Sequence, residues 1–184
     1  MLNWEEIILK WYSPQNSDYQ LLIAHSQQVA DMAVELSLRY NETHGEVMDV
    51  DFVREAAMLH DIGMCRTYAP GIFCNGTLPY LRHGLEGYEM LMSLNLPRHA
   101  RVCAHHTGSG LTAQEIIDQN LPLPHIDLLP ETLEEKVICY ADSFFSKSKI
   151  APAKTVQQVR QSLEKFGKGT LERFDALTEL FGAE

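Results

Sequence analysis

The 184-residue chain has no long hydrophobic run, no paired cysteines and no excess of positive charge. No stretch approaches the about 18 apolar residues that cross a bilayer, and the N-terminal segment lacks the apolar core of a secretory signal, so we expect no membrane contact. The cysteines form no CxxC pair, which argues against a zinc ribbon or a thioredoxin-like site; they are Cys65, Cys74, Cys103 and Cys139. We therefore expect reduced thiols and a cytoplasmic location.

The net charge of −10 excludes one class of partner and leaves another. DNA and RNA polymers are bound through clustered Lys and Arg, which this chain does not have, so we expect no nucleic-acid polymer as a partner. A small phosphorylated substrate remains compatible with the charge, because bound cations can reverse the local potential in a pocket. The length fits one domain with a sizeable core.

Helical signals run through nearly the whole chain, and no segment shows the clear period-2 alternation of a strand. Capping-box patterns at Thr112 with Glu115 and at Thr132 with Glu135 mark two helix starts. Glycine and proline between 65 and 81 favour a loop that can serve as a lid or specificity wall. We predict helices over 4–11, 18–40, 51–61, 83–94, 97–106, 113–120, 132–142, 155–166 and 171–181.

Histidines occupy apolar runs that normally hold hydrophobic residues. His25 lies in LLIAHSQQVA, His60 and Asp61 lie in AAMLHDIG, and His106 lies in RVCAHH. A single histidine on an apolar helix face is more often a hydrogen-bonded core residue than a ligand. Together with His83 and Asp142 further along, however, these residues predict a metal centre in the helical core.

The His60-Asp61 pair suits two metal ions better than one. Adjacent helical residues project about 100° apart and cannot crowd one coordination position. A carboxylate has two oxygens and can bridge two cations, whereas an imidazole gives one nitrogen, so Asp61 is the natural bridge. Asp142 would close one end, and its burial among apolar neighbours would be costly without a cation.

The order of these residues, together with the string HDIG, resembles the HD-domain superfamily of metal-dependent phosphohydrolases. The resemblance runs from about His25 to Asp142 and implies an all-α, irregular HD-type domain spanning 1–184, with a core at about 18–148 and a C-terminal helical extension at 149–184. The four-ligand signature of the family matches His25, His60, Asp61 and Asp142. The two further histidines of the two-metal branches match His83 and either His105 or His106, and the sequence HTGSG favours His106.

The chain departs from the family at two points. Many relatives have Lys or Arg directly after HDIG, where the cation can contact a substrate phosphate, but this chain has Met64. Arg66 or Arg82 would take that role, and Lys147 is a weaker candidate. The cyclic-dinucleotide branch usually has a Glu four residues before the first histidine, where this chain has Leu21, and a later GYP string that is missing here. That branch is therefore not expected.

The resemblance implies hydrolysis of a small phosphoester or phosphoanhydride, with a nucleotide favoured and a dinucleoside polyphosphate as one option. The cofactor would be one or two divalent ions from among Fe, Mn, Co, Ni and Zn, with iron favoured if the site is dinuclear. Asp61, Arg66 and Arg82 would act in catalysis. Two alternatives stay open: a diiron oxygenase that uses O₂ with the same ligands, and a non-catalytic nucleotide-binding module. The C-terminal helices would pack on the core or on a partner, so a homodimer is also open.

Overall fold

The computed structural model of the chain describes residues 2–148 and 151–182, and most of them are helical. Short connections join the helices, as expected for an all-α protein. The helices are α1 (Trp4–Ile8), α2 (Ser17–His44), α3 (Val50–Leu59), α4 (His83–Met92), α5 (Pro97–His105), α6 (Ala113–Asp118), α7 (Leu133–Asp142), α8 (Val156–Leu163) and α9 (Lys168–Phe181).

A small sheet lies inside the segment that was predicted to be a loop. Strand β1 (Thr67–Ala69) pairs antiparallel with β2 (Cys74–Asn75) and parallel with β3 (Leu78–Pro79). Strands of two or three residues are too short to show an alternating pattern in the sequence, which is why they were not predicted. The all-α class is confirmed for the architecture as a whole, and this sheet is a local addition.

Six of the nine helices described end earlier than predicted, and two of these ends carry candidate ligands. Helix α3 ends at Leu59, so His60 is its C-cap and Asp61 follows with φ −104° and ψ 9°. Helix α5 ends at His105, with His106 as its C-cap. The prediction that helix 51–61 runs through Asp61 was therefore wrong by two residues.

Gly63, which was predicted to end the helix, has a packing role instead. A Cβ at this position would lie 2.1 Å from the carbonyl oxygen of His83 and 2.3 Å from the amide nitrogen of Gly87. The 3-10 turn Ile62–Arg66 therefore packs backbone to backbone against α4. This contact brings the residues after Asp61 directly beside the helix that begins with His83.

One of the two predicted capping boxes is complete. The Thr112 side chain accepts from the amide of Glu115, and the Glu115 carboxylate accepts from the amide of Thr112. Thr132 accepts from the amide of Glu135 in the same way, but the Glu135 carboxylate accepts from Arg101 instead of returning to Thr132. The prediction of a second full capping box was wrong in that half.

The buried side chains form two main clusters. The larger joins α2, α3, α7, α8 and α9, and the smaller joins α1, the 3-10 turn Ile62–Arg66, α4 and α5. Phe174, Leu177 and Phe181 of α9 belong to the larger cluster, so the C-terminal helices pack on the rest of the chain. The division into core and extension stays a prediction. None of the helices in the described part of the chain combines the length and apolar character of a membrane span.

Candidate metal centre

Six of the predicted ligands converge on one buried location. They form two groups in which one ligand atom of each member lies within 4.8 Å of the others. The first group is His25, His60, Asp61 and Asp142, and the second is Asp61, His83 and His106. Asp61 belongs to both groups, as expected for a bridging carboxylate.

The two oxygens of Asp61 face different groups. Oδ2 lies 3.3 Å from Nε2 of His25 and 3.3 Å from Nε2 of His60. Oδ1 lies 3.3 Å from Nε2 of His83 and 3.3 Å from Nε2 of His106. The carboxylate therefore presents one oxygen to each half of the cluster.

Asp142, the last residue of α7, closes the first group. Its Oδ1 lies 2.9 Å from Nε2 of His25 and 3.5 Å from Nε2 of His60. Two imidazole nitrogens and two carboxylate oxygens thus meet in this half. Nitrogen and oxygen donors of this kind suit iron, manganese, cobalt, nickel or zinc.

Three of the four histidines are oriented by the same local hydrogen bond. Each donates its Nδ1–H to the carbonyl three residues earlier, so in the neutral ring the lone pair is on Nε2, which points into the cluster. The bonds are His60 to Ala57 at 2.6 Å, His83 to Tyr80 at 2.8 Å and His106 to Cys103 at 2.8 Å. The three imidazoles therefore turn Nε2, a ring nitrogen that can coordinate a metal, toward the cluster.

The contact between His83 and His106 tests whether a cation fits. Their Nε2 atoms lie 3.0 Å apart, although both rings already donate through Nδ1. Two neutral imidazoles in this arrangement direct lone pairs at each other. Burial lowers the pKa of His83 to about 3, so this ring is neutral at pH 7. A cation that both nitrogens bind removes the repulsion.

Buried polar atoms that make no hydrogen bond also indicate that a cation fits this cluster. Both oxygens of Asp61 and Nε2 of His60 make no hydrogen bond among residues 2–148 and 151–182, although Nζ of Lys147 lies 2.9 Å from Oδ2 of Asp61. Taking a carboxylate out of water costs several kcal/mol, and a cation beside Oδ1 would offset that cost as Lys147 does beside Oδ2. Burial alone would lower the pKa of His60, yet Asp61 and Asp142 raise it to about 10, so the site attracts positive charge. These residues fit one or two divalent ions.

Lys147 is the cationic side chain that the structure brings into the cluster. Its Nζ lies 2.9 Å from Oδ2 of Asp61 and 3.7 Å from Oδ1 of Asp142. The side chains of Lys147 and Asp142 are 15% and 13% exposed, whereas that of Asp61 is fully buried. The cluster therefore opens to solvent beside Asp142 and Lys147. Lys147 was the weaker candidate at the level of sequence, because its direction beyond the end of α7 cannot be read from spacing.

The two predicted arginines meet on one buried carboxylate. Arg66 and Arg82 each place a guanidinium nitrogen 3.3 Å from Glu86, on opposite carboxylate oxygens. In the described part of the chain, neither pairs with a carboxylate of the two ligand groups. Their contact with substrate stays a prediction. Glu86, one turn after His83 on α4, was not anticipated from the sequence.

His105 and Met64 lie away from the ligand atoms. The Nδ1 of His105 is 3.1 Å from Oε2 of Glu135, and His105 belongs to neither ligand group, so the structure brings His106 into the cluster. Met64 is 1% exposed and lies in the smaller apolar cluster. The position that is cationic in many relatives is therefore a core position here.

Comparison with known proteins gives relatives for most of the chain. Residues 22–146 match the HD domain family model. An uncharacterised protein of Methanocaldococcus jannaschii is 36% identical over 70% of this chain and 68% of that protein. The tRNA (cytidine(56)-2'-O)-methyltransferases of Picrophilus torridus and Thermoplasma volcanium are each 31% identical over 79% and 72% of this chain, but the matches span only 37% and 33% of those proteins.

A solved structure supports the same fold. The HD domain of the L. monocytogenes phosphodiesterase PgpH superimposes with a TM-score of 0.53, covering 98% of this chain and 96% of that chain at 16% identity. At this identity the likeness concerns the fold alone. The family match, the shared fold and the two ligand groups on Asp61 agree, and the chain belongs to the HD-domain family.

Proposed function

We propose that the chain is a metal-dependent phosphohydrolase that holds two divalent cations and cleaves a small phosphoester or phosphoanhydride. A nucleotide is the favoured substrate. The observation that carries the proposal is the position of Asp61, whose two oxygens face two separate sets of imidazole nitrogens. A carboxylate in this position serves two cations at once.

The cations and the protein would have different tasks. Bound at these positions, two cations supply a nucleophile from water near neutral pH and neutralise charge on phosphoryl oxygens. The protein fixes the geometry: hydrogen bonds to backbone carbonyls hold three imidazoles, and burial keeps bulk water away from Asp61. Lys147 adds a positive charge at the edge that is open to solvent, where it would attract the substrate phosphate.

Arg66 and Arg82 would bind a more distant anionic group of the substrate. Their side chains are 40% and 30% exposed, so their guanidinium groups remain accessible. Planar guanidinium groups suit phosphate oxygens. Their contacts with Glu86 hold both of them next to α4, which begins with His83.

The relatives support this class of reaction without identifying the substrate. The solved neighbour is a phosphodiesterase domain, in line with phosphoester chemistry. The two methyltransferases do not support methyl transfer by this chain, because it spans only about a third of each. Dinucleoside polyphosphates stay in the range of proposed substrates. Homodimer formation also stays a prediction, which sedimentation velocity would test.

The test combines metal analysis with a substrate panel. Freshly purified protein is expected to contain two equivalents of metal, and protein loaded with that metal should release phosphate from at least one nucleotide or small phosphoester. Asp61→Ala should remove metal and activity together.

The same assays separate the hydrolase from its two alternatives. Phosphate release should continue without O₂; turnover that appears only when O₂ is admitted would contradict the hydrolase and favour the diiron oxygenase. Metal-loaded protein that binds nucleotides but turns over none of the panel would favour a binding module.

A further inference from the structure

A side cavity of about 200 Å³ lies beside the metal centre, between the loop after His106 and the C-terminal helices. We use the name side cavity for the space lined by Leu81, Gly108, Leu111, Gln119, Leu121 and Phe166. Its wall is mostly apolar, and the side chains come from four separate parts of the chain. None of the residues assigned to metal binding or to phosphate binding lines it.

One contact links the wall of the side cavity to the accessible edge of the ligand cluster. Gly108 follows His106 by two residues, and its carbonyl oxygen lies 3.5 Å from Oγ of Ser143. Ser143 directly follows Asp142, which is on the solvent-accessible edge of the ligand cluster. A Cβ at Gly108 would have no atom within 4 Å, so the loop surface there is unobstructed. We therefore infer that a group joined to a phosphate at the metals would reach the side cavity along Gly108.

The size and chemistry of the side cavity suit one flat ring system. Pockets for drug-sized ligands usually enclose about 300–1,000 Å³, so about 200 Å³ accommodates a part of a ligand. Phe166 is 45% exposed although its ring belongs to an apolar wall. Nζ of Lys165 lies 4.8 Å from the ring centroid, and the ring surface that remains free is a platform for stacking. The amide of Gln119, an exposed residue at the rim, can accept or donate a hydrogen bond.

The inner wall is held in place before any ligand arrives. Arg173 of α9 donates to the carbonyl oxygens of Ser109 at 3.2 Å and Gly110 at 2.9 Å. The Ser109 hydroxyl donates to the carbonyl oxygen of Thr170 at 2.7 Å. A wall that is already ordered loses little conformational entropy on binding, which favours a specific site over a packing defect.

We propose that the side cavity binds the aromatic ring of the substrate, of nucleobase type, while the substrate phosphate lies at the metal centre. This inference rests on the proposed function for the placement of the phosphate. It adds a specificity element: substrates that carry a flat aromatic group are preferred over those that carry only a sugar or a short alkyl group.

The experiment fills the side cavity and measures binding to the metal-loaded protein. Calorimetry compares adenosine 5′-monophosphate with ribose 5-phosphate, two probes that differ by the base alone. The unmodified protein should bind the first at least about tenfold more tightly, as stacking on an aromatic side chain provides. Leu121→Trp should remove that preference and leave the affinity for ribose 5-phosphate and the metal content unchanged. Ile117→Trp, at an exposed position of α6 outside the side cavity, is the matched control and should keep the preference.

The outcomes separate this inference from the proposed function. Equal affinities for the two probes in the unmodified protein would overturn the inference about the side cavity. A preference for adenosine 5′-monophosphate that survives in Leu121→Trp with full metal content would also overturn it. A base preference that Leu121→Trp abolishes, in a protein that hydrolyses nothing, would support the side cavity and reject the hydrolase. Phosphate release that is equally fast for aromatic and base-free esters would support the hydrolase and reject the role of the side cavity.

Discussion

At the scale of single residues, the cluster depends on how each histidine is held. His60, His83 and His106 each donate a hydrogen bond from Nδ1 to the carbonyl three residues earlier. Nδ1 therefore carries a proton, and Nε2 is the nitrogen that can bind a metal. His25 differs, because its Nδ1 has no hydrogen-bond partner in the described ranges and its orientation comes from the contact of Nε2 with Asp142. The imidazole nitrogens therefore converge because of local backbone geometry as well as long-range packing.

The neighbouring histidines His105 and His106 provide a direct test of the cluster. His106→Ala should lower the metal content from two equivalents to one, because it removes a nitrogen that faces Oδ1 of Asp61. The loss of activity should exceed the roughly 10–100-fold typical of outer-sphere changes. His105→Ala is the control and should keep both metals, since it loses only its contact with Glu135. Elemental analysis gives the result, and full metal content in both variants would contradict the six-ligand cluster.

Glu135 predicts how stability depends on pH. Burial would raise the pKa of this carboxyl group, but bonds from His105, Arg101 and the amide of Glu131 lower it from 4.5 to about 2. A lowered folded-state pKa stabilises the fold above the unfolded value of 4.5, and this contribution is lost as the pH falls from 4.5 toward 2. It amounts to about 3 kcal/mol at pH 7, at about 1.4 kcal/mol per pH unit.

The measurement compares Glu135→Gln with the unmodified protein in urea unfolding at pH 7 and pH 3.5. The difference in unfolding free energy should be smaller at pH 3.5 by about 1.4 kcal/mol. Glu179→Gln, at an exposed position of α9, should change stability little at either pH. A Glu135→Gln effect of equal size at both pH values would show that the ionised carboxylate is not the stabilising group.

The residues that the sequence placed in the site and that the structure brings together share one property. His25, His60 and Asp142 interrupt apolar runs, and a polar group in such a run has to be paired when it is buried. Lys147 and Glu86 carry no such signal: charged residues near helix ends are usually solvated, and only the folded backbone brings them to Asp61 or to the two arginines. His105 and His106 are adjacent, and only the end of α5 separates their directions.

At the scale of elements, three helices point their C-terminal ends at the cluster. His60 and His106 are the C-caps of α3 and α5, and Asp142 is the last residue of α7. A helix C-terminus carries a partial negative charge and stabilises nearby cations. Metal ions at this position would therefore be favoured by the three helices as well as by the ligands. The sequence predicted these helices but placed two of their ends too late, because ends are set by tertiary contacts that a periodic pattern does not contain.

The close approach of the 3-10 turn to α4 gives a prediction at this scale. In Gly63→Ala, the added methyl group would meet backbone atoms of His83 and Gly87, so the turn and the helix must move apart. We expect a loss of about 1–3 kcal/mol in unfolding free energy, the usual cost of overpacking, and weaker binding of the metal between Asp61 and His83. Denaturant unfolding and metal titration measure the two effects.

Gly71→Ala is the matched control for this change. A Cβ at Gly71 would have nothing within 4 Å, so the substitution should alter stability by less than about 0.5 kcal/mol. If Gly63→Ala were as stable as Gly71→Ala and bound metal equally well, the close packing of the turn on α4 would be incorrect. The glycine after His60 and Asp61 would then serve only to end the helix, as the sequence alone suggested.

At the scale of the whole molecule, the metal centre lies between parts of the chain that are far apart in sequence. The family match covers residues 22–146, whereas Arg173 and the apolar side chains of α9 lie beyond it. Length and helical periodicity predicted a single helical domain, but nothing in the sequence indicated that α9 would reach the loop after His106. That contact is a charged hydrogen-bond network, and its partners become neighbours only after folding.

Arg173 tests whether this C-terminal helix supports the loop beside the metal centre. Its guanidinium group donates to backbone carbonyls of Ser109 and Gly110 and to the carboxylate of Glu115 at 2.8 Å. Hydrogen bonds to charged groups contribute about 1.5–3 kcal/mol. Arg173→Leu should lower the unfolding free energy by about that amount and speed amide hydrogen exchange at 107–111.

Arg160→Leu is the control for this prediction, because it also removes an arginine of the C-terminal helices. Arg160 pairs with Asp175 at the surface, where both side chains are 42% exposed, so its loss should cost at most about 1 kcal/mol and leave exchange at 107–111 unchanged. Equal exchange at 107–111 in both variants would mean that the loop after His106 holds its shape without α9. Faster exchange in Arg173→Leu alone would mean that the ligand group of Asp61, His83 and His106 depends on α9, which lies outside the family match. The reason is that the loop held by α9 begins directly after His106.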